Sequence, residues 1–170
     1  MKDNNDNLSI ENLIKKLTNN YEEELNYYKE MLKLTNQQQQ VIEDDEWQSL
    51  NQLVSRKREL MKKVDELEKQ ILSYQEKISA ELNLQIGDTF YPELCNKDLP
   101  GTKKLKQVLI NVYRLMQQIG ELDKVNQARM EEKKKQKQQE LNDVNQGLSV
   151  NRAYSGKSDS SEGKFIDQNK

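Results

Sequence analysis

From Ile10 to Ile42 the apolar and aromatic side chains recur in steps that are mostly three and four. The series is Ile10, Leu13, Ile14, Leu17, Tyr21, Leu25, Tyr28, Met31, Leu32, Val41 and Ile42. That spacing predicts one long helix with an apolar stripe, since strands would alternate with a period of two. Ser9 precedes it as a candidate N-cap, with Glu11 in the first turn. Between Thr35 and Gln40 (TNQQQQ) the stripe turns polar, and the Gln run 37–40 reads as a solvent-facing seam of a continuing helix.

The cleanest stripe follows the acidic run Glu43–Glu46, where Asp44 or Asp45 is expected to start a second helix over residues 45–83. It runs Leu50, Leu53, Lys57, Leu60, Val64, Leu67, Ile71, Tyr74, Ile78, Leu82, a heptad seam with one polar position at Lys57. Such a helix spans roughly 58 Å. Both prolines and two of the six glycines fall in residues 84–101, which read as a connection with a short helical turn near Tyr91–Cys95. Thr102 is then a candidate N-cap for a third long helix, striped by Leu105, Val108, Val112, Leu115, Ile119, Leu122, Asn126 and Met130.

Residues 131–140 (EEKKKQKQQE) carry no apolar side chain, and a second short stripe follows at Leu141, Val144 and Leu148. Residues 149–170, rich in Ser, Gly, Asn and Asp, read as a disordered tail. The predicted fold is therefore all-α. It is an elongated antiparallel bundle of three long helices with coiled-coil-like packing, a helical domain over 8–148 and a flexible tail over 149–170. A hairpin of helices 2 and 3 is its expected spine. Residues 1–46 carry 5 basic and 11 acidic side chains, residues 102–148 carry 10 basic and 6 acidic, so helix 3 is expected beside helix 1.

Composition changes the picture by what it removes. The chain of 170 residues has 33% charged side chains, 17 Asn, 18 Gln, 2 Pro and 6 Gly, too few turn formers for a sandwich or barrel. With no His and one Cys there is no Ser–His–Asp triad, no Cys–His pair and no His/Cys zinc set. No catalytic residue, metal ligand or cofactor is expected, and the chain is read as a non-enzyme. Cys95 has no intrachain partner, which suits a reducing cytoplasm. No window approaches 18 consecutive apolar residues and the first seven residues are polar, so neither a membrane span nor a secretory signal is expected. Four lysines within Lys133–Lys137 invite a nucleic-acid reading. The run holds no aromatic and the chain is net −2 with a pI of about 5.5, so a solvated helix surface is preferred.

The informative feature is the stripe Leu141–Val144–Leu148. It is either a weak local core with Val41, Ile42 and Trp47, or a helix that borrows its core from a partner. Tyr154 stands among Ser155, Gly156 and Ser158, which cannot form a core.

Several features together resemble the FlgN family of flagellar export chaperones, over roughly residues 8–167. They are an L-L…E-x-x-x-Y…L opening with Glu24 and Tyr28, the Asn126 of the third stripe, the LNDVNQGL segment and a Tyr-x-Gly end (Tyr154, Gly156) before a final Ile-Asp. The chain departs from the family pattern at Ala128–Arg129–Met130, where paired leucines are commoner, and in the Lys/Gln run 133–139. The resemblance implies a cytoplasmic chaperone for the C-terminal regions of hook-associated, hook–filament junction proteins. It would keep them from associating early and deliver them to the flagellar export gate. Met130, Leu141, Val144 and Leu148 are the expected client contacts and Tyr154 the export-gate contact. The expected state is a monomer or weak dimer without nucleic acid or membrane insertion. The alternatives are a structural coiled-coil adaptor that dimerises through helix 2 and the related cap-protein chaperone class.

Overall fold

A computed structural model describes residues 9–155, so the polar start 1–7 and the tail 156–170 lie outside the described residues. The order is α1 (Ile10–Glu43), α2 (Trp47–Leu82), a short α3 (Phe90–Asn96) and α4 (Thr102–Ser155). All regular structure among the described residues is helical. The bundle has four helices, the fourth being the short α3, and the third long helix continues through 149–155, where a tail is expected from the sequence. The chain divides into a unit ending at Asn126 and a second beginning at Gln127.

In the first unit, α1 starts as its sequence predicts. The Ser9 hydroxyl accepts from the Asn12 amide at 3.4 Å and the Ser9 carbonyl from the Leu13 amide at 3.1 Å. The acidic run does something other than start a helix. Neither Asp44 nor Asp45 caps α2; Asp45 takes a left-handed φ of 58°, and the chain reverses within Asp44–Glu46. Asp tolerates that conformation because its short polar side chain bonds locally. So brief a reversal sets α2 antiparallel to α1, and Asn20 meets Gln70 while Gln38 meets Lys57. The closest backbone approach is between α1 and α2, so the spine is this hairpin and not one of helices 2 and 3. The reason is the connection: three residues join α1 to α2, whereas α3 sits between α2 and α4.

The α2–α4 connection is structured. Asn83 ends α2 in a left-handed conformation. Phe90 and Leu94, one turn apart on α3, are completely buried and close the open end of the hairpin. Gly101 then turns the chain into α4 with φ 90°, and a Cβ there would meet Ile14 Cγ2 at 3.2 Å. Thr102 is the first residue of α4 and not its cap: its hydroxyl donates to the Leu99 carbonyl at 2.8 Å. Within this unit α4 runs parallel to α1, with Lys104 bonded to Glu22 at 2.8 Å and Asn126 Nδ2 to the Thr35 carbonyl at 3.0 Å. The charge asymmetry of the sequence has its physical counterpart in the Lys104–Glu22 pair.

The core is the sum of the stripes. Leu60, Val64, Leu67, Ile71 and Ile78 of α2 are buried, as are Leu105, Val108, Val112 and Ile119 of α4. On α1 the buried row is longer than its apolar members. Leu17, Tyr21, Glu24, Tyr28, Met31, Thr35, Gln38 and Ile42 follow one another in steps of four and three, and all are buried. Thus the polar stretch 35–40 is not wholly a solvent-facing seam: Thr35 and Gln38 lie inside. Thr35 folds its hydroxyl onto the Met31 carbonyl at 2.9 Å. Gln38 accepts from Lys57 Nζ at 3.4 Å, and Lys57 also reaches Asp123 at 2.6 Å. The polar seam positions of three helices therefore meet in one layer, which is how each tolerates burial.

Candidate partner-binding surface

No group of three His, Cys, Asp or Glu among the described residues is placed to hold a metal ion. Cys95 is half-buried, and burial pushes its thiol pKa up against the lowering influence of Lys106. A thiol held protonated is a poor nucleophile. No helix of the described residues is long and apolar enough to cross a membrane.

Apolar side chains outside the core are the remaining resource. In the first unit Met61 and Leu72 stand eleven residues apart on α2, Ile86 and Val125 stand singly, and Ile110, Tyr113 and Met116 follow one another in steps of three on α4. Tyr113 already accepts a hydrogen bond from Gln117 at 2.9 Å.

The second unit is helix alone over 127–155, and there the exposure is systematic. Leu141, Val144 and Leu148 are 63%, 59% and 52% exposed. Steps of three and four at about 100° per residue put them in one row. Met130 is half-buried. It falls on the same helical phase about 16 Å back along the axis, with the Lys/Gln run between. Val150 and Tyr154, one turn apart, lie off that row, roughly 150° and roughly 110° round the helix from its centre, Tyr154 being 77% exposed. Hence the structure joins Leu141, Val144 and Leu148, keeps Met130 on their phase but about three turns back, and gives Tyr154 a separate face. Their exposure leaves Leu141, Val144 and Leu148 outside the buried core.

The composition of residues 149 onward, which reads as a tail, conceals Val150. The signal for it is the i, i+4 pair Val150–Tyr154. An apolar count likewise misses Glu24 as a core residue, although Glu24 keeps phase with Leu17, Tyr21 and Tyr28.

These features define an all-α chain with coiled-coil-like long helices, its core closed in the first unit and apolar helical rows exposed in the second. The chain belongs to the FlgN family, whose model, described as FlgN protein, matches residues 6–162. The family is one of flagellar export chaperones. Comparison with curated proteins and with solved structures gave no significant match.

Proposed function

We propose that this chain is a cytoplasmic, non-enzymatic chaperone of flagellar type III export. It binds the C-terminal regions of hook–filament junction proteins through Leu141, Val144 and Leu148, with Met130 extending the row. The observation that carries this reading is the exposed row itself. Three large apolar side chains on one helix face, each more than half exposed, form a surface suited to a partner helix. Clients that assemble through helical ends offer a matching amphipathic surface, and covering it needs no nucleotide or metal. Tyr154, with an apolar ring and one hydrogen-bonding tip, meets the export gate.

An adaptor dimerising through helix 2 is the weaker reading. Leu60, Val64, Leu67 and Ile71, which such a dimer would share, are already buried within this chain.

The test is the triple substitution Leu141→Ser, Val144→Ser, Leu148→Ser. The expected result is lost co-elution with a junction-protein client on gel filtration, at unchanged thermal midpoint of the first unit. Co-elution at the wild-type level defeats the reading, and unfolding of the variant makes the row a core element instead.

A further inference from the structure

Glu24 is the one charged side chain fully inside the core among the described residues, 4% exposed. Tyr28, one turn on, donates its hydroxyl to the carboxylate, and the other oxygen, Oε2, is buried without a partner. No cation among the described residues is paired with it. From α1 it faces Tyr21 and Tyr28, from α2 the like charge of Glu68, and from α3 Tyr91. On α4, Lys104 is taken by Glu22 and Lys106 acts on Cys95. Tyr91 in turn is the anchor of α3. Its hydroxyl is bonded to that of Tyr21 and accepts from Gln75 Nε2, and its ring meets Tyr21 edge-on at 5.7 Å between centroids.

A buried carboxylate with one empty oxygen must neutralise or find water. Long seams hold α1 and α2, so they do not yield cheaply. Tyr21, one turn before Glu24 in the same buried row, carries α3 through Tyr91, and α3 is the shortest element of the unit, seven residues held through Phe90, Tyr91 and Leu94. We propose that Glu24 is an acid–base latch on α3: neutral, it keeps Tyr91 docked on Tyr21; ionised, it admits water and releases α3 from α1.

Burial, and then Glu68, raise the Glu24 pKa from 4.5 to about 7. Because the closed state holds the proton more tightly than the open one, its advantage is whole below the ordinary glutamate range. It is lost as pH rises, and the loss is complete once pH passes about 7. The sequence clears this window, since the chain has no histidine.

The experiment is amide hydrogen exchange on the full chain between about pH 5 and pH 8, corrected for intrinsic rates. Protection of Phe90–Asn96 should fall about tenfold per pH unit up to about pH 7 and then level, while the middle of α2 keeps its protection. Glu24→Gln should remove the pH dependence. A profile shared by wild type and Glu24→Gln overturns the latch, as does an equal loss across the whole unit. A second measurement uses the wild type alone: the side-chain carboxyl carbons are titrated by NMR. One glutamate with a midpoint near neutrality supports the latch, and glutamates that all titrate in the ordinary range overturn it.

Discussion

Lys57 of α2 and Asp123 of α4 meet at 2.6 Å, with the lysine side chain 15% exposed and the aspartate 45%. Lys57 also reaches Gln38, so one ammonium ties three helices at the level where Asn126 donates to Thr35. A pair half open to water is worth modest energy. The double-mutant cycle of Lys57→Met and Asp123→Asn should give a coupling of about 1 kcal/mol in urea denaturation. A coupling indistinguishable from zero would reduce the pair to a surface contact.

Leu67 lies mid-seam on α2 and is 6% exposed. Leu67→Ala should cost about 2–4 kcal/mol, toward the lower end because a core built from single stripes collapses easily around a void. A thermal midpoint unchanged within error would show that the heptad stripe does not mark the core.

Two glycines should respond in opposite directions. Gly101 has φ 90° and Ile14 Cγ2 waits 3.2 Å from any added Cβ, so Gly101→Ala should destabilise by about 1–2 kcal/mol. Gly120 lies within α4 with nothing near the position of a Cβ. Gly120→Ala should stabilise by up to about 1 kcal/mol, the helix-propensity difference. Urea midpoints of the two variants, measured side by side, check both signs.

Tyr154 and Leu148 lie on different faces of one helix, so their roles should separate. Tyr154→Ala should leave client co-elution intact and lower client secretion from motile cells. Val150→Ala, one turn earlier on the same side, should lower secretion in the same sense. Normal secretion by the Tyr154 variant removes it from the pathway; loss of co-elution moves it into the client site.

The long helices were legible because α2 and the start of α4 keep apolar residues at nearly every seam position. On α1 the same geometry is written with Glu24, Thr35 and Gln38. An apolar count therefore sees a broken stripe where the helix sees a continuous one. Gln38 fits through a partner far away in sequence, Lys57, while Thr35 and Glu24 bond Met31 and Tyr28 one turn away on their own helix, and an apolar count carries neither kind of pairing. The short α3 was legible as a helical turn near Tyr91–Cys95, but its weight in the core was not: seven residues are too short to show a period, and Phe90 and Leu94 declare themselves only by the surface they cover. At the candidate surface the row Leu141–Val144–Leu148 was legible from spacing alone. The helical continuation that lifts Val150 and Tyr154 onto their own face was not, since Ser149, Val150, Asn151, Tyr154 and Ser155 are weak helix formers and outnumber Arg152 and Ala153.

The three-residue reversal at Asp44–Glu46 also orders events in time. Every contact between α1 and α2 is complete once residue 82 has been made, and the loop to be closed is minimal. Helix α4 must wait for α3 and then find α1 from more than ninety residues away, as Asn126 finds Thr35. Local pairing precedes distant pairing in rate, so the nascent chain folds as a hairpin first and recruits its third long helix onto a surface already formed.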